Sequence, residues 1–464
     1  MPLQKMKFML AMAPWDLWEN EDDTLYPLGL AYLGAVLEKN NYETDILNLT
    51  YSNWEDVKQS AIEKIKSFNP DIFGISILSN SRISAKKLIE EVKKINPNVI
   101  IIAGGVHTTF LYNQILNYYP VDYAVLGEAE ITIIELLNAI KNKKSVEDFK
   151  KIKGIAFKHN NEIIKTEPRE RIRNLDELPF PKHEYFEKTI KKYNTAYLMT
   201  SRGCPFGCSF CPSSAYWGRC MIQRSAKNVF EEIKYLIKKY PNIQKIYFLD
   251  DEFLVNNKRV IELCKMIIND NIKIKWSCLG RASSINEELV RWIKKAGCLE
   301  VIFGVESGSQ RILDNIGKKV KVEQIEDAIK LCKNYGLSTS FLSIVGLPGE
   351  DYKSAMETAK LAKKVNEVAE PAILIVFPGT RVYELAKQKG MMTDDYWLSE
   401  GLCPLYTAEH SKAKLWWWAF KVGFITHMHA DNGNPVEFLN RKIFSKIKPS
   451  NFIRIFKRYV TNRT

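Results

Sequence analysis

The chain has 464 residues, 46% hydrophobic and 26% charged, a composition that excludes wholesale disorder and fibrous repeats and predicts about three domains. Its net charge of +13 is uneven: residues 411–464 hold 11 Lys/Arg against Asp431 and Glu437, a net +9, leaving +4 on the other 410 residues. That distribution excludes a whole-protein nucleic-acid footprint, and no apolar run reaches the roughly 18 residues a membrane span requires. The opening MPLQKMKFMLAMAPW is followed by Asp16, Glu19, Glu21, Asp22 and Asp23, which reads as a first buried strand rather than a signal peptide. A cytoplasmic protein is expected. Of nine cysteines, Cys264, Cys278, Cys298 and Cys332 sit singly in apolar segments, as buried reduced thiols do.

Residues 1–150 alternate apolar runs with helical patterns. Strands are predicted at Lys7–Ala13, Tyr42–Leu49, Asp71–Leu78, Val99–Gly104 and Asp122–Leu126, with helices near 27–39, 55–67, 82–95, 108–118 and 130–142. The runs lack polar alternation, as in strands buried on both faces. The expected fold is α/β, a doubly wound, Rossmann-like parallel sheet with its ligand crevice at the strand C-terminal ends. There lie Ser76 to Ser79, Gly104-Gly105-Val106-His107 and Gly127-Glu128. A Gly-Gly pair permits close backbone approach to a bulky ligand or simply makes a tight turn. No G-x-G-x-x-G follows these strands, so a dinucleotide is not expected.

Residues 151–192 read as a connector, with a β-hairpin over Ile152–Phe157 and Glu162–Thr166 and a proline-marked stretch at 175–181. In 193–390 the βα rhythm resumes, with strands at Ala196–Thr200, Lys245–Leu249, Ile274–Cys278, Leu299–Phe303, Thr339–Ile344 and Ala372–Phe377. Six βα units predict an open, partial barrel with chemistry at the strand C-terminal ends. Directly after its first strand comes Cys204-Pro205-Phe206-Gly207-Cys208-Ser209-Phe210-Cys211, spaced C-x₃-C-x₂-C, with Gly203 and Gly207 letting the loop fold around an object. Zinc would recruit a fourth nearby Cys or His, and the next cysteine is Cys220. Three thiolates suit a [4Fe–4S] cluster with one iron left open.

This loop, with Phe248-Leu249-Asp250-Asp251-Glu252-Phe253, Gly304-Val305-Glu306-Ser307-Gly308-Ser309, Gly346-Leu347-Pro348-Gly349-Glu350 and Phe377-Pro378-Gly379-Thr380, resembles the radical S-adenosylmethionine (SAM) enzymes. With the first domain, the chain resembles their cobalamin (B12)-dependent class over about residues 5–390. The resemblance implies that Cys204, Cys208 and Cys211 hold a [4Fe–4S] cluster whose open iron chelates SAM. It implies SAM contacts from Phe210, Asp250, Arg281, Glu306, Ser307 and Gly346, and an external electron donor such as flavodoxin or ferredoxin. Structural alternatives stand beside these: Glu306 as a helix-capping carboxylate, Asp250 and Arg281 as structural ion-pair members, and Gly346 as a plain turn.

On the first domain the resemblance implies cobalamin contacts from Ser76, Ser79, Gly104, Gly105, His107, Gly127 and Glu128. Ala129 stands where many relatives have glycine, and the Asp-x-His-x-x-Gly motif that supplies histidine to cobalt in B12 mutases is absent. Histidine ligation is therefore not expected, and His107 reads as a solvated or phosphate-contacting residue. The implied activity is methylation of an unactivated carbon, one SAM methylating cobalamin and a second giving a 5′-deoxyadenosyl radical. The alternatives are a magnesium-protoporphyrin-cyclase-like ring closure, a lipid-modifying radical enzyme, or a regulatory cobalamin module without chemistry. Three oxidisable thiols on one exposed loop argue against the last.

Beyond 391 the rhythm stops, and 391–464 reads as a helical, basic and aromatic tail. Leu415–Ile425 is too short and interrupted to span a bilayer. Residues 441–460 interleave Phe444, Ile447, Phe452, Ile455 and Phe456 with Lys446, Lys448, Arg454 and Lys457, split at Pro449. This pattern fits peripheral contact with anionic lipid through 411–464, or else a helical cap over the barrel. The substrate expected is a lipid or another apolar or anionic molecule, with a peptide as the alternative. No nucleic acid is expected as a partner.

Overall fold

The computed structural model describes residues 5–15, 25–50 and 52–430. The amphipathic stretch 441–460 lies outside the described residues. The first sheet is built from β1 (Lys7–Met12), β2 (Glu43–Asn48), β3 (Ile72–Ser76), β4 (Ile100–Gly104), β5 (Tyr123–Val125), β6 (Ile155–His159) and β7 (Glu162–Lys165). Their order is β2-β1-β3-β4-β5-β6-β7. The non-alternating apolar runs have a direct cause in β1: Phe8, Leu10 and Met12 enter one core, while Met9 and Ala11 enter a second core on the opposite face. Pairing is parallel from β2 through β5, and the order reverses between β1 and β3, where a crevice opens.

The expected hairpin forms around Asn160 and Asn161, both left-handed at φ 50° and 65°. It does not stand apart from the first sheet. β6 pairs antiparallel with β5 and buries Ile155, Ala156 and Phe157 in the two cores, so the hairpin extends that sheet.

The second sheet contains β8 (Thr195–Leu198), followed by the small antiparallel ribbon of β9 (Ser201–Arg202) and β10 (Ile222–Gln223). Then come β11 (Lys245–Phe248), β12 (Lys275–Gly280), β13 (Cys298–Glu306), β14 (Ser338–Val345) and β15 (Ala369–Ile373). The main strands run in the order β15-β14-β13-β12-β11-β8, all parallel, so six strands form an open barrel with β8 and β15 at its edges. β15 starts three residues earlier than the predicted Ala372 and ends at Ile373, because the chain then leaves the sheet. Ile375 bridges Leu405, Val376 N donates to Pro404 O, and Tyr406 N donates to Leu374 O. Pro371 is tolerated inside β15 because that strand lies at an edge.

The helix Lys412–Ala430 covers that edge. Leu415, Trp418 and Val422 are buried, and Ala369 N at the start of β15 donates to Thr426 Oγ1 at 3.2 Å. This part of the tail is the cap alternative, with Trp416, Trp417 and Phe420 still exposed on its surface. No helix among the described residues is long and apolar enough to cross a membrane.

A buried polar chain docks the two halves. Tyr26 Oη pairs with His183 Nδ1 and His183 Nε2 with Glu232 Oε1, each at 2.9 Å, and Glu232 Oε2 accepts from Arg224.

Candidate active site

The three-cysteine loop leaves the C-terminal end of β8 on a rigid base. Asp250, at the end of β11, accepts from Thr200 N at 2.6 Å, from Ser201 Oγ at 2.7 Å and from the Thr200 hydroxyl. Arg259 adds a donor to Thr200 Oγ1 and lies 3.9 Å from the Asp250 carboxylate. Both oxygens of Asp250, read from the sequence as a SAM contact, are thus engaged in holding the loop. Gly203 is required by close approach: it sits at φ 88°, and a Cβ there would lie 2.2 Å from Cys220 O, whereas a Cβ at Gly207 would meet only the movable Arg219 side chain. Ser209 N donates to Ile316 O and Arg381 donates to Gly207 O, fastening the outer turn. Burial pushes the Cys204 thiol up to about 11 and also raises Cys211, so ligation must displace protons.

Around the loop, the barrel mouth holds buried polar atoms without partners. Arg281 lies over the Phe206 ring at 3.9 Å, donates through Nε to Ser283 Oγ, and leaves Nη2 unpartnered. Glu252 Oε1 is also unpartnered, and burial pushes this carboxyl up to about 7. Glu306 is paired with Lys318 Nζ at 2.8 Å and sits in the left-handed region at φ 66°, at an irregularity of β13. A non-glycine residue held there stores strain of the kind that gathers at functional strand ends. Ser307 is turned into its own loop, with Oγ accepting from Ser309 N. Gly346, at φ 89°, donates its N–H to Glu350 Oε2 at 2.6 Å and packs under Leu415 of the tail helix. Phe210 is half-buried beside the core. Glu252 and Lys318 were not singled out by sequence reasoning; the Asp-Asp-Glu run at a strand end was the available signal for Glu252.

The first domain turns its strand ends toward this loop. Ser76, Gly104, Gly105, Gly127 and Glu128 line an apolar cavity of about 340 Å³ that Arg202 and Trp217 close from the barrel side. Gly105 has φ 94°, and a Cβ there would lie 2.7 Å from Ile77 O; at Gly127 nothing lies within 4 Å. A neighbouring cavity of about 390 Å³ brings Ser79 and Phe110 up to Ser213, Tyr216, Asp251 and Phe377.

His107 differs from its sequence reading. It is not solvated but 1% exposed, with Nδ1 bonded to Ser79 Oγ at 3.0 Å and its ring edge-on to Trp397. Burial, helped by Arg82, pulls its pKa down to about 3, so the ring is neutral and cannot act as a cationic phosphate contact. Arg82 itself donates to Ser79 O, Trp397 O and Ser399 O. The carboxylate of Glu128 faces Arg202 and Ile172 N rather than standing free.

Comparison with known proteins decides the family. Residues 198–362 match the radical SAM superfamily model, and residues 20–137 match the B12-binding domain model. An uncharacterized methyltransferase of Pyrococcus horikoshii is 35% identical over 405 residues, 85% of this chain and 86% of the relative. This chain belongs to the cobalamin-dependent radical SAM enzymes.

An anaerobic magnesium-protoporphyrin IX monomethyl ester cyclase of Rubrivivax gelatinosus is 29% identical, over 77% of this chain and 66% of the relative. The radical SAM methyltransferase TsrM of Kitasatospora setae has the same fold, with TM-score 0.69 at 18% identity over 83% of this chain and 77% of that one. The cofactors of this cobalamin-dependent radical SAM enzyme are a [4Fe–4S] cluster, SAM and cobalamin. The residues present fit them. Cys204, Cys208 and Cys211 are free thiols on one loop, the donor type such a cluster takes. Arg281 Nη2 and Glu252 Oε1 are polar atoms awaiting partners beside the loop, and the glycine-lined cavity, with the neighbouring one that shares Val106, Tyr216 and Trp217, presents strand-end backbone for a large ring to lie against.

Proposed function

We propose that the enzyme transfers a methyl group to an unactivated carbon. The observation that carries the reading is that Arg202 and Trp217 line the glycine-lined cavity while Arg202 leads into the three-cysteine loop and Trp217 packs against its Gly203. When bound, the cluster and SAM supply a radical able to take hydrogen from carbon, and cobalamin supplies the methyl group. Cys204, Cys208 and Cys211 hold the cluster. Phe210, Arg281, Glu306, Ser307 and Gly346, joined by Glu252, form the SAM site, while Asp250 keeps the loop in place. Ser76, Ser79, Gly104, Gly105, Gly127 and the backbone at Glu128 would carry the cobalamin, with His107 buried under Ser79. The partner expected is an external electron donor, a flavodoxin or ferredoxin, that would serve the cluster held by the three cysteines.

Methylation is favoured over ring closure by the relative described as a methyltransferase, which aligns over most of both lengths, while the cyclase aligns at lower identity over less of its own. The aromatic lining of the second cavity, including Phe110, Tyr216 and Phe377, suits an apolar substrate. The test is product analysis with SAM deuterated on its methyl group, incubated anaerobically with reduced enzyme and a small-molecule extract. An intact deuterated methyl on a product carbon supports methylation. 5′-Deoxyadenosine formed alongside an unlabelled, oxidised product supports cyclisation instead.

A further inference from the structure

Glu128 and Glu130 follow β5, and Arg202 stands just before the three-cysteine loop. The Arg202 guanidinium forks across both carboxylates: Nη1 donates to Glu128 Oε1 at 2.7 Å and Nη2 donates to Glu130 Oε1. All three side chains are buried, and the Tyr32 ring lies 5.4 Å from the guanidinium. A second arginine, Arg171 of the connector, closes the group. Its Nη2 donates to Arg202 O at 3.0 Å, its Nη1 to Cys220 O at 2.9 Å, and its plane covers Trp217 at 4.5 Å. Ile172 N donates to the remaining oxygen of Glu128 at 2.9 Å.

Burying charges is costly, and apolar side chains of similar volume would pack the same space at least as stably. What the ionic group supplies is direction, because a planar guanidinium fixes two carboxylates in one geometry as no lysine or apolar side chain does. Every one of these contacts crosses a boundary between the first domain, the connector and the barrel. The same Glu128, Glu130, Arg202 and Trp217 line the 340 Å³ cavity, so the group forms the wall between that cavity and the cysteine loop.

We propose that Arg202, Glu128, Glu130 and Arg171 are positioning residues, a four-charge joint that fixes the spacing between the bound cobalamin and the cluster. This rests on the reading that the two cofactors work together. The isosteric Glu130→Gln and the fork-deleting Arg202→Met test it in full-length, reconstituted protein, read by iron content, cobalamin titration and electron paramagnetic resonance. In the wild type, the reduced cluster should speed the spin relaxation of Co(II) cobalamin. Both variants should keep their cluster iron, bind cobalamin about tenfold more weakly, as loss of an outer-shell partner does, and show weakened relaxation enhancement per bound cobalamin. Arg202→Lys, which keeps charge without the fork, should fall between. Unchanged enhancement per bound cobalamin in Glu130→Gln and Arg202→Met overturns the proposal, even if their melting temperatures fall, because a purely structural contact moves stability alone. A wild type that binds no cobalamin overturns the underlying reading instead.

Discussion

In the barrel, the loop after β8 stands on side chains: Asp250 gathers Thr200 and Ser201, Arg259 backs it, and the cysteines project from that base. In the first domain, the loops after β3, β4 and β5 present mostly backbone to the cavity, through Gly104, Gly105 and Gly127, with a collision for a side chain at Gly105 and few polar groups. The difference follows from what each must hold. A cluster is gripped by covalent thiolate bonds at fixed points, so its loop has to be stiff and its anchors buried. A large organic ring is gripped over an area, so its cradle has to be shaped and open.

The largest expected effect comes from undoing the stiff side. Asp250→Asn removes a buried carboxylate that serves the loop and Arg259, and should cost about 3–5 kcal/mol, the usual penalty for breaking a buried ionic pair. Thermal unfolding together with iron analysis would check it, with a lower melting temperature and poor cluster retention expected. Stability and iron at the wild-type level would mean that the base is not what holds the loop.

The cradle side should respond more locally. Gly105→Ala places a Cβ 2.7 Å from Ile77 O at φ 94°, a strain of about 1–3 kcal/mol. Cobalamin titration should then show weakened binding with a full complement of cluster iron. Loss of both cofactors together would blur the distinction drawn between the two regions.

How far the sequence carried the reading divides along the same line. The open barrel and the doubly wound sheet were legible because buried parallel strands write continuous Ile, Val and Phe runs, and the cysteine loop was legible because ligand spacing is local. Arg202, Glu130 and Arg171 were illegible, since their partners lie 31 to 74 residues away and charge in a sequence carries no address. His107 looked solvated because it opens a helix; Ser79 and Trp397, brought in from distant segments, bury it. The end of β15 was misplaced because, past Leu374 N on Val345 O of β14, the Leu374 carbonyl and the Val376 N–H pair with Tyr406 and Pro404 instead of the sheet.

The smallest effect is expected at the surface. The helix Lys412–Ala430 shows Trp416 and Trp417 at 54% exposure, with Lys421 over the Trp417 ring. Aromatic rings beside lysines suit the headgroup region of an anionic membrane, where each basic residue contributes about 1 kcal/mol. Full-length protein should sediment with anionic liposomes at low salt, detach as salt rises, and lose part of its binding in a Trp416→Ser, Trp417→Ser variant. Equal sedimentation with neutral and anionic vesicles would remove the electrostatic part of that expectation.

The most direct test counts both metals in one chain. Anaerobically reconstituted wild type should hold about four iron atoms, as one [4Fe–4S] cluster does, together with one cobalamin. A Cys204→Ala, Cys208→Ala, Cys211→Ala variant should lose the iron and keep the cobalamin. A variant that retains its full complement of iron, or a wild type that takes up iron but no cobalamin, would contradict the account.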